Sequence, residues 1–203
     1  MTLKRKIIFI SVLLISFNII FICSILFFLG NVDRPKYNVL NKENNIEIRE
    51  YEPMLIAETQ IDGVRSEAIG DGFRVVADYI FGNNKPQQKI SMTAPVQQQR
   101  EGDDWKISFI MPSKYTINDV PAPNNKNITL KKIPKKKFVA IKFSGKASDK
   151  NITSYQKELK QYILDNKIKV KENAKYAFYD PPWTLPPFRL NEIMFEIDSY
   201  ETN

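Results

Sequence analysis

Residues 67–99 read EAIGDGFRVVADYIFGNNKPQQKISMTAPVQQQ, and the hydrophobic period changes once along them. Ile69, Phe73, Val76, Ala77 and Ile80 recur at three- and four-residue spacing, which puts them on one face of a helix. Gly82 and Asn83 stop that pattern. KISMTAPVQQQ then reads as a strand, and WKISFIMP (105–112) as its partner across a turn at residues 101–104. Upstream, IEIREYEPMLIAETQI (46–61) alternates Ile46 and Ile48 with charges, breaks at Pro53 and resumes with Leu55 and Ala57. The helix is therefore preceded by extended chain and followed by two strands.

The same order returns downstream. ITLKKIPKKKFVAIKFSG (128–145) alternates, breaks at Pro134 and resumes. Ile152, Tyr155, Leu159, Tyr162 and Ile163 mark a second helix face. AKYAFYDPP (174–182) and NEIMFEI (191–197) read as the closing strands. Gly63 and Gly145 end the opening strands at matching places, and Pro95 and Pro181 correspond after the helices. The expectation is an α+β fold of two β-α-β-β repeats, about 45–112 and 127–198, forming a distorted antiparallel, barrel-like sheet with two helices. Gly70 and Gly72 stand out near the start of the first helix, where each disfavours helix by up to about 1 kcal/mol against Ala. They read either as a weak first turn or as a close approach to the backbone.

The first thirty of the 203 residues differ from the rest. Lys4, Arg5 and Lys6 precede an apolar run over residues 7–29, enough as a helix to span roughly 30 Å of hydrocarbon. The run is longer than a signal-peptide core, and Phe28 and Leu29 are too bulky for a small-residue cleavage site. Residues 1–30 are thus expected to be an N-terminal membrane anchor (a transmembrane helix), with a signal segment as the other reading. Residues 31–44 read as a linker and residues 45–199 as one domain. The basic head argues for a cytoplasmic N-terminus, with the domain on the non-cytoplasmic side, periplasmic or extracellular in a bacterium.

Net charge is +7; the three cations of the head leave +4 for the remainder, too little to argue for nucleic acid. The densest basic run is KKIPKKK (131–137), read as a solvated strand edge or as a contact for anionic groups. The chain has no histidine, which removes Ser-His-Asp and Cys-His catalysis and the commonest zinc ligand. Its one cysteine, Cys23, lies in the apolar run, so no intrachain disulfide forms. Before the last strand, YDPPWTLPPFRLNE (179–192) concentrates prolines and aromatics beyond what a turn needs, and reads as a rigid wall holding Trp183.

Three motifs carry a resemblance. Ile90-Ser91-Met92-Thr93-Ala94-Pro95-Val96 resembles the signature that follows the first helix of SOUL-type haem-binding proteins. Residues 105–112 look like that family's next strand, and residues 179–186 with Arg189, Asn191, Glu192 and Ile193 look like its C-terminal signature. The resemblance implies the fold shared with GyrI-like drug-binding domains. It also implies haem or a related tetrapyrrole in an apolar cleft beside the first helix, and a carrier or buffer rather than an enzyme. Without histidine, iron would take Tyr, Met or Lys, or no protein ligand. The family's basic positions along the first helix fall here on Gly70 and Asp78, leaving Arg74, Lys85 and Lys89 nearby.

A haem-type slot needs flat apolar walls with cations at its mouth. Phe73, Ala77, Ile80, Phe81 and Met92 are the expected wall, with Tyr179 and Trp183 from the proline tract and Arg189 for a propionate; each also has a plain reading as core or as an internal partner. Glu192 favours instead a cationic ligand or weak hydrolysis, as in GyrI-like pockets, unless a partner within the sheet occupies it. No catalytic residue and no metal site built by the protein is expected. The functional expectation is a membrane-tethered tetrapyrrole-binding protein; the alternatives are a pocket for other apolar or cationic small molecules, or an interaction module at the membrane surface.

Overall fold

The computed structural model describes residues 32–198, together with Ser16. The chain divides into two units, Met1–Val32 and Asp33–Asn203, and every element below belongs to the second. Apart from Ser16, the expected anchor over residues 7–29 lies outside the described residues. Among the described residues no helix is long and apolar enough to cross a membrane.

The strands are β1 (Tyr37–Glu43), β2 (Ile46–Tyr51), β3 (Met54–Ile61), β4 (Val96–Glu101), β5 (Asp104–Ile110), β6 (Thr129–Ile133), β7 (Lys136–Phe143), β8 (Lys175–Phe178) and β9 (Asn191–Glu196). The helices are α1 (Arg65–Ile80) and α2 (Asp149–Asp165), with a short 3-10 turn at Pro186–Phe188. All nine strands join one antiparallel sheet, in the order β1-β2-β7-β9-β8-β4-β5-β3-β6. Exchanging β2 with β6, β3 with β7, β4 with β8 and β5 with β9 turns the order of these eight strands into its own reverse. The doubling therefore shows in the sheet itself. Each half also lends a strand to the other: β2 pairs with β7, and β6 pairs with β3.

Both helices form where the spacing predicts. α1 buries Ala68, Gly72, Val76, Tyr79 and Ile80 over β3 and β5. A Cβ on Gly72 would lie 2.5 Å from the Ile107 side chain of β5, whereas one on Gly70 meets open space. Of the two readings, close approach holds at Gly72. α2 starts at Ser148, whose hydroxyl accepts from the Asn151 N–H, and buries Ile152, Leu159 and Ile163 over β7 and β9. One core thus lies beneath each helix.

The chain differs from the sequence reading in three places. Each expected β-α-β-β repeat opens on two strands and not one: the chain breaks at Pro53 and at Pro134, which bring no N–H to a ladder, and β2 and β3, like β6 and β7, take separate positions in the sheet. Tyr37–Glu43, read as part of the linker, is strand β1, paired along its length with β2. Its sequence lacks apolar alternation because it is an edge strand with six exposed residues. The strand read over KISMTAPVQQQ begins only at Val96, since Pro95 brings no N–H to a ladder. The segment before it is held instead by Ile90 N–H on the Ile80 carbonyl and Ala94 N–H on the Asp33 carbonyl.

Candidate functional site

Odd-numbered residues of β2 (Glu47, Arg49, Tyr51) and even-numbered residues of β7 and β9 point away from the helices. There the structure buries a charged cluster. Arg49 is 0% exposed and Glu192 1%. Their side chains meet in a two-pronged ion pair: Nη2 donates to Oε1 at 2.8 Å and Nη1 to Oε2 at 3.0 Å. Arg49 also donates from Nε to Glu47 at 2.8 Å and to the Tyr51 hydroxyl at 2.9 Å. The Tyr179 hydroxyl donates to Glu192 at 2.7 Å. The Tyr37 ring covers the guanidinium at 4.5 Å, so β1 closes the cluster.

Sheet geometry explains the reach. β2 and β9 flank β7, roughly 10 Å apart at ordinary strand spacing. Ala140, buried in β7 between them, leaves room for Arg49 to pass over it. Burial disfavours the charged guanidinium, yet the Glu192 hydrogen bonds and charge outweigh it and hold Arg49 protonated well above its ordinary value. Burial also pulls the Glu47 carboxyl upward, but hydrogen bonds from Lys142 and Arg49 hold it below the usual range. Burial and the Glu192 charge push the Tyr179 hydroxyl well up, so it acts as a donor and not as a phenolate. A cationic ligand reaching Glu192 would have to displace Arg49 from this pairing, a costly exchange for a buried charge. The partner of Glu192 is Arg49 and not Arg189.

The centre of this face is nearly filled. A cavity of about 20 Å³ remains among Tyr51, Met54, Phe138, Lys175 and Met194. Lys175 lies against Phe138 and donates to Gln97; burial lowers its pKa against the opposing pull of Glu196 and Glu58.

The remaining residues expected at a ligand site fall into separate groups. Phe73, Ala77 and Phe81 follow one flank of α1 at four-residue spacing; Phe73 is 44% and Phe81 60% exposed. Ile80 belongs to the core beneath α1 and offers no surface. Met92 is exposed in the segment that leaves α1. Lys85 and Lys89 are exposed in that segment, while Arg74 is tied to Asp71 on the helix itself. Trp183 is 83% exposed, with Leu185 and Phe188 also exposed beside it. Arg189 braces this tract by donating to the carbonyls of Thr184, at 2.7 Å, and Pro182. The tract links β8 to β9 in the half that α2 covers, whereas α1 lies over β3 and β5.

Sequence reasoning missed Arg49, Glu47 and Tyr37. In the sequence, the charges alternating with Ile46 and Ile48 read only as a mark of extended chain. The available signal was that aromatic residues accompany those charges at the same parity, Tyr51 on β2 and Tyr37 opposite it. Among the described residues no group of three or more His, Cys, Asp or Glu side chains is placed to hold a metal ion.

An open antiparallel sheet of doubled strand–helix units, with one helix per half, defines the GyrI-like class of fold. The C-terminal domain of EcmrR matches with a TM-score of 0.59 at 15% identity, over 81% of this chain and 99% of that one. EcmrR in a DNA complex matches at 0.58 and 13% identity, over 76% of this chain and 57% of that one. A hydrolase from Listeria innocua matches at 0.54 and 9% identity, over 78% and 94%. At these identities the likeness is one of fold. No curated protein matches the sequence. The model of the SOUL heme-binding protein family matches residues 32–196, and the chain belongs to that family.

Proposed function

We propose that this chain binds haem or a related tetrapyrrole at the exposed flank of α1 and serves as a carrier or buffer, without histidine ligation. The supporting observation is that an amphipathic helix in a family of haem-binding proteins leaves Phe73 and Phe81 open to solvent on one stripe, with Ala77 between them. Ala77 keeps that stripe flat, which suits a planar macrocycle. Lys85 and Lys89, exposed in the segment that follows α1, are the cations this reading assigns to propionates, since Arg74 is paired with Asp71. Met92 offers an exposed thioether to the iron, whereas the Tyr179 hydroxyl is committed to Glu192. Trp183, Leu185 and Phe188 form a second exposed apolar surface, suited to a partner that receives or delivers the ligand. Residues 7–29 tether the domain to a membrane, with the domain on its non-cytoplasmic side.

The test is haem titration of the full chain in detergent, against a detergent blank and against a Phe73→Ser/Phe81→Ser variant. The reading expects a Soret band shifted from that of micellar haem, saturating near one equivalent, and weakened at least tenfold in the variant. A spectrum indistinguishable from the blank at micromolar protein would overturn it.

A further inference from the structure

The lysine run of residues 131–137 is only in part an edge device. Lys131, on the edge strand β6, pairs with Glu58 at 2.6 Å. Lys135, Lys136 and Lys137 instead line a cleft of about 400 Å³ with Lys171, Glu50 and Glu196. Strand alternation divides them. Lys135 and Lys137 turn one way, to Glu50, at 2.8 and 3.9 Å. Lys136 turns the other way, to Glu196 at 2.8 Å, where Lys171 joins it at 2.7 Å. Two carboxylates thus gather four ammonium groups, and the cleft keeps an excess of two positive charges.

This arrangement is held in place and not merely crowded. Ile197 N–H donates to the Lys137 carbonyl, and Lys171 N–H to the Glu196 carbonyl, each at 2.9 Å, which fixes both lysines at strand ends. Hydrogen bonding from Lys135 keeps the Glu50 carboxyl below its ordinary value. Burial opposes the same effect at Glu196, but Lys136 and Lys171 outweigh it. Both glutamates therefore stay ionised and hold the lysines as an array. Glu52 and Asp198 act on Lys135 and Lys171 from outside the lining. Each ammonium has three donors, and the carboxylates take only some of them. The apolar lining is limited to Pro134 and Ile197, so the cleft suits a small, strongly hydrated anion and not a macrocycle.

We propose that this cleft binds a phosphate group as its dianion, held by the lysines of its lining. A phosphomonoester carries about −1.5 to −2 at neutral pH, comparable to the excess charge of the lining residues alone, and lysine binds phosphate as a point charge. The group can belong to a free phosphorylated molecule or to a lipid headgroup, and the inference is independent of tetrapyrrole binding.

The test uses the full chain in phosphatidylcholine nanodiscs, titrated calorimetrically with inorganic phosphate at an ionic strength fixed by potassium chloride. The same titration is run in nanodiscs containing phosphatidic acid, and melting is followed in both. Saturable heat near one equivalent, weakened at least tenfold in Lys135→Gln/Lys137→Gln and in Lys171→Gln, supports the site. If that heat persists beside phosphatidic acid, the source is free phosphate; if it vanishes there, the headgroup has filled the cleft. Heat absent from both, but melting raised by phosphatidic acid in the parent and not in the variants, also assigns the headgroup. Heat and melting that are unchanged by either substitution, or explained by ionic strength alone, would overturn the proposal.

Discussion

At the scale of single residues, the Arg49–Glu192 pair shows how a buried charge constrains what a site can do. Removing Glu192 takes the two-pronged partner from a buried guanidinium and leaves it the Glu47 carboxylate alone; breaking a buried pair typically costs about 3–5 kcal/mol, and the remaining Glu47 contact puts the loss toward the lower end. Glu192→Gln is therefore expected to lower the melting temperature by on the order of 10 °C in this size of domain. Arg49→Met combined with Glu192→Gln and Glu47→Gln should recover part of the loss, because no buried carboxylate is then left without its guanidinium. A melt of Glu192→Gln within one degree of the parent would show that the pair contributes nothing. Glu47 adds a pH dependence. Its folded pKa is depressed, so the unfolded chain binds the proton more tightly. The contribution is fully present above the unfolded carboxylate value of about 4.3 and is lost as pH falls through the folded one. Urea midpoints measured from pH 7 down to pH 3 should fall more steeply for the parent than for Glu47→Gln. Parallel curves would contradict this.

At the scale of elements, the two glycines of α1 make opposite predictions from the same substitution. Gly70→Ala places its methyl in open space and gains helix propensity, so stability should rise by up to about 1 kcal/mol. Gly72→Ala drives its methyl into Ile107, a fully buried side chain whose Cδ1, Cγ1 and Cβ would all lie within 3.1 Å of it. Overpacking of that kind destabilises by about 1–3 kcal/mol, which outweighs the propensity gain. Chemical denaturation of both variants decides the matter, and equal effects would remove the distinction. The same helix shows what sequence can reveal. Its period exposed the helix but misplaced the packed face: of Ile69, Phe73, Val76, Ala77 and Ile80 only Val76 and Ile80 are buried, and the face that packs runs through Ala68, Gly72, Val76, Tyr79 and Ile80. The period could not tell that Phe73 and Phe81 remain in solvent, since an apolar residue at the rim of the stripe looks like core. β1 escaped notice for the opposite reason: an exposed edge strand needs no alternation, and its pairing with β2 is made by backbone. The charge cluster was missed because its members come from β1, β2, β9 and the segment just after β8, and only strand order brings them together. The proline tract was legible as a rigid feature, but its brace was not. Arg189→Ala removes two bonds to tract carbonyls, so Trp183 fluorescence anisotropy should fall while the melting temperature changes little. Unchanged anisotropy would mean that the prolines alone hold the tract.

At the scale of the whole molecule, the exchange of strands decides how the two halves depend on each other. A plain tandem repeat can lose one unit and keep the other, because each unit contains its own contacts. Here β2 completes its sheet on β7, β6 completes its sheet on β3, and β4 joins β8 at the centre. Splitting the chain between β5 and β6 would open three ladders at once and leave the backbone groups of several strands unpaired. The two helix cores are separate in space, but neither sheet half retains its edge partner without the other. The domain should therefore unfold as one cooperative unit. Trp105, buried under α1, reports the first half by fluorescence; amide exchange in α2 and β9 reports the second. Along a urea series the two probes should share one midpoint and one slope, and Ile141→Ala in β7 should shift both equally although it lies beneath α2. Midpoints that separate, or an Ile141→Ala shift confined to the second half, would mean that the exchanged strands do not couple the halves and that each core folds on its own.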